Sequence, residues 1–217
     1  MHINVFKEYI PKIAKNCILF SNYRETYFID LFCFLLSEEN IWLLCDHIRK
    51  THPEELCNCY AVFVSNDEKK IPIWRQQACL EPENPIVWDY HVIFVRCRDC
   101  GSELYDLDTQ LPFPCELNKY VEEALCYDDK LEAKYRRSFR VIPAVLYLEK
   151  FASDRSHMLD DDGIFRTDPP TYPCITTPEI QNNLEDFINM DPAVGYGEIV
   201  TLRKFVSKFN SAKTKNR

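Results

Sequence analysis

A long apolar run, residues 86–97, and a short strand-like stretch, residues 103–107, flank the polar turn Arg98-Asp99-Cys100-Gly101. That pattern commits the middle of the chain to an antiparallel hairpin, because short apolar runs broken by a glycine-containing turn fold back on one another. A turn centred between Arg98 and Asp99 puts His91 directly opposite Asp106, side chains on one face and Cβ atoms about 5 Å apart. A carboxylate there can hold an imidazole in one tautomer, as a nucleophile–histidine–carboxylate triad requires. Both residues also fit ordinary strand positions on a solvated face, and a one-residue slip would send them to opposite faces. Apolar neighbours around His91 (Trp88, Val92, Ile93 and Phe94) argue against the solvated face.

The rest of the chain reads as a mixture of helices and further short strands. Ser37-Glu38-Glu39-Asn40 has a hydroxyl at the N-cap and two acids in the first turn, and Ile41, Leu44, Cys45 and Ile48 follow at helical spacing. This helix is expected to run to about residue 49 and to end at His52-Pro53. Residues 60–65 and 71–77 read as strands around the turn 66–70, with Pro72 marking an edge. Residues 116–126 form a helix, 140–147 a strand-like or mixed segment, 152–174 a long loop, and 184–190 and 202–209 two closing helices. A short helix over residues 6–14, kinked at Pro11, precedes them.

With 217 residues, 46% hydrophobic and 28% charged, the chain is an ordinary globular protein long enough to bury a core without metal or disulfide staples. Its net charge of −8 argues against bulk nucleic-acid binding, which needs basic patches. Only 4 glycines are present, and no phosphate-cradling glycine motif. Eleven cysteines cannot all pair, and the charged start lacks a signal-peptide run, so a reducing compartment is expected. No apolar stretch approaches the roughly 20 residues of a membrane span.

Several residues could carry chemistry. Ser37 stands at a helix start, where the dipole favours a nucleophile, although on local evidence a plain N-cap serine is the better reading. Cys57-Asn58-Cys59 and Cys97-Arg98-Asp99-Cys100 resemble parts of a zinc site, but the complementary half is poor. His157 reads as a second catalytic histidine or as solvated surface. Asp160-Asp161-Asp162 lacks the alternating acids of a calcium loop.

Taken together, these segments resemble protein N-terminal glutamine amidohydrolases. The likeness rests on Ser37-Glu38-Glu39-Asn40-Ile41-Trp42, Tyr60-Ala61-Val62-Phe63-Val64-Ser65-Asn66, Ile71-Pro72-Ile73-Trp74-Arg75-Gln76-Gln77-Ala78 and Val87-Trp88-Asp89-Tyr90-His91-Val92. It continues through Tyr105-Asp106-Leu107-Asp108-Thr109, Leu111-Pro112-Phe113-Pro114-Cys115, the segment 151–158, Pro173-Cys174-Ile175 and Met190-Asp191-Pro192. It spans roughly residues 38–210, in order.

The resemblance implies an α+β protein, an α-β-α three-layer sandwich of the thiol-protease and transglutaminase type with a mainly antiparallel sheet. It implies conversion of an N-terminal glutamine to glutamate with release of ammonia, feeding an N-degron pathway. The enzyme would be a monomer without cofactor or metal, cytoplasmic and nuclear. Its partners would be proteins or peptides with N-terminal Gln, not nucleic acid or membrane. The Cys-His-Asp triad of the family falls on Ser37, His91 and Asp106.

Ser37 is a departure, since the family has cysteine there and a second one two residues earlier, where this chain has Leu35. Cys33 lies too early to replace it. The composition changes abruptly at residues 25–37, which marks an apolar insert such as read-through of a short intron. The chain is therefore divided into a divergent segment 1–37, an amidohydrolase domain 38–210 and a polar tail 211–217. A hydroxyl is a far poorer nucleophile than a thiolate at neutral pH, so little or no amidase activity is expected of this chain. A change of Ser37 to Cys is not by itself assured to restore it, because the insert alters the approach to the helix. The competing readings are a catalytically inactive binder of N-terminal Gln and, more remotely, a zinc-dependent interaction module.

Overall fold

A computed structural model describes residues 36–210 apart from Pro82 and Thr167. The expected helix over 6–14, the insert before Leu36, Cys33 and the polar tail lie outside the described residues.

Helix α1 (Ser37–Thr51) starts with Glu38 and Glu39 and ends with Arg49 and Lys50, each charge matched to its end of the dipole. Ile41, Leu44, Cys45 and Ile48 form its buried stripe. His52 caps it and Pro53 opens a 3-10 turn. The expected N-cap is corrected. Leu36 occupies that place, and Ser37 is the first helical residue, its hydroxyl accepting the Val92 N–H at 3.3 Å.

Eight strands follow: β1 (Cys59–Ser65), β2 (Ile71–Ile73), β3 (Ile86–Trp88), β4 (His91–Arg96), β5 (Glu103–Tyr105), β6 (Cys115–Glu116), β7 (Ser138–Pro143) and β8 (Glu198–Thr201). Six make one antiparallel sheet in the order β6-β5-β4-β1-β7-β8, and β2 pairs with β3 beside it. Strands β1 and β4 alternate between two cores, which is why both are buried along almost their whole length.

On one face α1, α3 (Ala144–Lys150) and α4 (Leu184–Ile188) pack against Ala61, Phe63, Val92 and Phe94. The other face carries α2 (Leu117–Tyr120), its π-helical continuation Val121–Leu125, and α5 (Leu202–Asn210), all over Val62, Val64, Ile93 and Val95. The molecule is thus an α+β protein with helices on both faces of an antiparallel sheet. Among the described residues, no helix is long and apolar enough to cross a membrane.

Three expectations need adjusting. The strand over 71–77 ends at Ile73, because Arg75 takes φ 57° and turns the chain so that the next residues face the loop after β5. The long strand over 86–97 is broken at Asp89-Tyr90 into β3 and β4. The hairpin register, with Phe94 opposite Tyr105 and Arg96 opposite Glu103, is two residues away from the expected one. Its turn is centred one residue later, between Asp99 and Cys100. A two-residue shift preserves the faces, so His91 and Asp106 still meet although they are not cross-strand partners.

The loop 152–175 is pinned over the start of α1 by one arginine. Arg155, at φ 63°, donates Nε and Nη2 to the two oxygens of Glu39, each at 2.8 Å, and its Nη1 reaches the carbonyls of Pro170 and Tyr172. Arg140 does similar work near the chain's end, donating to the carbonyls of Asn189, Asp191 and Tyr196, which accounts for the distinctive Asn189-Met190-Asp191-Pro192 segment. Removing one partner of a buried ion pair strands the other charge. Arg155→Met should therefore cost about 3–5 kcal/mol in denaturant unfolding, and adding Glu39→Gln should recover most of it. A single-variant loss within about 1 kcal/mol of zero would show that the loop is held by something else.

Candidate active site

His91 opens β4 and is 1% exposed. Its Nε2 lies 2.9 Å from Asp106 Oδ1. Asp106 follows the last residue of β5 and is dressed with donors on both oxygens. The Tyr120 hydroxyl donates to Oδ2 at 2.7 Å and Gln76 Nε2 donates to the same atom at 3.0 Å. The backbone N–H of Asp108 donates to Oδ1 at 2.9 Å. Trp88 stacks on the imidazole with centroids 5.4 Å apart, closing one face of the ring.

These contacts decide the charges. Burial opposes the Asp106 carboxylate, but the imidazole and the hydrogen bonds outweigh it and hold its pKa below the usual carboxylate value. Burial likewise opposes imidazolium at His91, yet Asp106, with Asp108 and Glu38 beyond it, raises the pKa above the ordinary histidine value. The other ring nitrogen, Nδ1, is buried without a hydrogen-bond partner. It faces Asp108 Oδ2 at 3.8 Å, too far for a direct bond.

The first turn of α1 completes the site. The Ser37 hydroxyl, held on the Val92 N–H, lies one residue along the strand from His91. Glu38 is wholly buried, its Oε2 accepting the Tyr90 hydroxyl at 3.0 Å and its Oε1 3.4 Å from His157 Nε2. The Tyr147 hydroxyl donates to the Glu38 carbonyl at 2.9 Å. Burial pushes the Glu38 carboxyl up to about 8.

The expected pair His91 and Asp106 is therefore brought together, and Ser37 is placed beside it. His157 is an exposed residue, as the surface reading has it, and its Nε2 lies 3.4 Å from the buried Glu38 Oε1. Neither glutamine of Trp74-Arg75-Gln76-Gln77 is free to act elsewhere, since Gln76 holds Asp106 and Gln77 Nε2 donates to the carbonyls of Leu107 and Thr109. Sequence reasoning marked that segment as distinctive without giving it a role. It missed Tyr120, Glu38, Tyr90 and Asp108. Of these only Asp108 left a signal, its two-residue spacing from Asp106.

A metal does not explain this cluster. His91, Asp106 and Asp108 bring ligand atoms within 4.8 Å of one another. However, the two carboxylates flank opposite nitrogens of one ring, and Asp106 is already saturated with donors. The zinc-module reading also fails to assemble. Cys59 packs in one core and Cys97 against the other, and among the described residues no metal-ligand cluster contains a cysteine.

A buried imidazole bonded at one nitrogen to a carboxylate, unpartnered at the other, and next along the strand to a residue whose N–H the first helical residue accepts, is the equipment of a hydrolase that attacks amide-type carbonyls. The chain belongs to the N-terminal glutamine amidase family, whose model matches residues 31–209. Proteins named Protein N-terminal glutamine amidohydrolase from Bos taurus and Homo sapiens are each 51% identical over 175 residues, 80% of this chain and 84% and 85% of theirs. The Drosophila melanogaster protein of that name is 42% identical over 197 residues, 88% of this chain and 92% of its own.

Glu38 gives a pH-dependence with a fixed sign. Between its ordinary value of 4.5 and about 8 the folded chain keeps a proton that the unfolded chain has released. Stability contributed by this group therefore falls as pH rises through that window. Glu38→Gln, similar in shape and unable to ionise, should flatten that fall in unfolding free energy. An unchanged slope would place the proton elsewhere.

Proposed function

We propose that this chain binds the N-terminal glutamine of a polypeptide and directs hydrolysis of its side-chain amide through residue 37, His91 and Asp106. The observation that carries the reading is the His91 ring, bonded at Nε2 to Asp106 and without a hydrogen-bond partner at Nδ1, one residue before the Val92 N–H that Ser37 accepts. On this reading the two-faced antiparallel sheet is the three-layer α-β-α sandwich of the thiol-protease and transglutaminase type. The helix N-terminus supplies the nucleophile and a strand end supplies the histidine.

In the reaction, His91 Nδ1 takes the proton of the residue-37 nucleophile as it attacks the amide carbon. The proton passes to the amide nitrogen, the C–N bond breaks and ammonia leaves. Water then adds to the acyl intermediate, giving its proton to the same nitrogen, and glutamate is released. Asp106 keeps the ring oriented, and the amino end of α1 serves the developing oxyanion.

Ser37 governs the rate. A thiol has a pKa of about 8.5 and is readily ionised beside an imidazolium, whereas an alcohol starts several units higher. The serine therefore favours the second reading, a binder of N-terminal Gln with little turnover. Ammonia release and the Gln-to-Glu mass change on a Gln-initiated peptide separate the two. The unmodified chain should bind the peptide and convert it slowly, and Ser37→Cys should convert it faster. In that cysteine background His91→Ala should lower the rate by about 10²–10⁴ and Asp106→Asn by up to about 10⁴. An unmodified chain as fast as Ser37→Cys would refute the role of residue 37. A fully active His91→Ala variant would refute the site.

A further inference from the structure

Asp106 and Asp108 are two buried carboxylates beside one imidazole, and their surroundings differ sharply. Asp106 accepts four hydrogen bonds. Asp108 is held rigidly by its backbone, its N–H on Asp106 Oδ1 at 2.9 Å and its carbonyl accepting the Gln77 N–H at 2.7 Å. Yet among the described residues its side-chain oxygens accept no hydrogen bond, although the residue is only 2% exposed. A nearly buried carboxylate without a protein donor either keeps a proton or accepts one from a group that arrives from outside.

The neighbour of that carboxylate is His91 Nδ1, 3.8 Å away and itself buried without a partner. One nitrogen can lie about 2.9 Å from both atoms at once, because their separation is well under twice that length. In the reaction above, the group that reaches Nδ1 is the side-chain amide nitrogen of the substrate, which carries two hydrogens to donate. The α-ammonium is several bonds away and cannot occupy the same place.

We propose that Asp108 is the residue that reads the substrate's side-chain amide, accepting an N–H from glutamine and rejecting the carboxylate of glutamate. The inference rests on the function proposed above and adds the discriminating group. A glutamate side chain brings no hydrogen to donate and sets a negative charge against Asp108, so the product of hydrolysis is pushed out of the site that held the substrate. Burial, with a further push from Asp106 against a pull from His91, raises Asp108 to about 7. A seated N–H donor favours the ionised form, so preference for the amide should grow as pH rises through that value.

The test is binding of two peptides that differ only in an N-terminal Gln or Glu, titrated calorimetrically into the intact chain at about pH 7.5, where most peptide amino termini are still protonated. The Gln peptide should bind about tenfold or more tighter than the Glu peptide. Asp108→Asn, whose amide can donate to a carboxylate, should bring the ratio close to one, mainly by tightening the Glu peptide. An unaltered ratio in folded Asp108→Asn overturns the assignment and leaves the proposed function standing. Equal weakening of both peptides overturns it too, because that is what mere support of the imidazole would give. Failure of the unmodified chain to bind either peptide removes both proposals. Should the variant not fold, the unmodified chain decides alone: its ratio should shrink below pH about 7, and a flat ratio refutes the role.

Discussion

The hydrogen bond between His91 Nε2 and Asp106 Oδ1 is the constraint on which the site depends. It is wholly buried, so either charge alone would be expensive, and the pair is tolerable only because Asp106 is also held by Tyr120, Gln76 and the Asp108 backbone. Each donor comes from a different element. Tyr120 belongs to α2 on one face, Gln76 to the turn after β2, and Asp108 to the loop after β5. The sheet and its outer layer thus converge on one carboxylate, which holds the ring with its second nitrogen open.

The first turn of α1 shows how the opposite layer joins in. Three successive residues point three ways: Ser37 to the strand at Val92, Glu38 to Tyr90 and His157, and Glu39 to Arg155. A strand N–H becomes available to Ser37 because β5 stops pairing at Phe94–Tyr105, short of Val92. The end of that strand therefore leaves room for the helix start and also releases Asp106 from the ladder to turn toward the imidazole.

Much of this was legible in the chain. The stripe of Ile41, Leu44, Cys45 and Ile48 announced α1, and the apolar runs around a polar turn announced the β4–β5 hairpin with its histidine and aspartate. What misled was turn geometry. A centre displaced by one residue moves the register by two, and nothing in Arg98-Asp99-Cys100-Gly101 distinguishes the two centres. Their parity is the same, so the contact survived the error. The break at Asp89-Tyr90 was hidden because apolar residues continue on both sides of it. The partners of Asp106 were hidden for a different reason, since Tyr120 is fourteen residues away and looked like one more apolar position on a helix.

The amide-directed groups and the nucleophile are separable in this architecture. Ser37 contributes one atom at the end of a helix whose place is fixed by its neighbours: Leu36 is buried, Glu38 and Tyr147 lock the first turn to α3, and Glu39 is clamped by Arg155. Replacing a thiol by a hydroxyl there alters the energy of the attacking electron pair but little of the volume, charge or hydrogen bonding that surrounds it. The pinned ring, the bare carboxylate of Asp108 and the rim formed by Glu38 and His157 do not depend on sulfur. On the proposed reading, recognition therefore rests on groups that the change at residue 37 leaves in place.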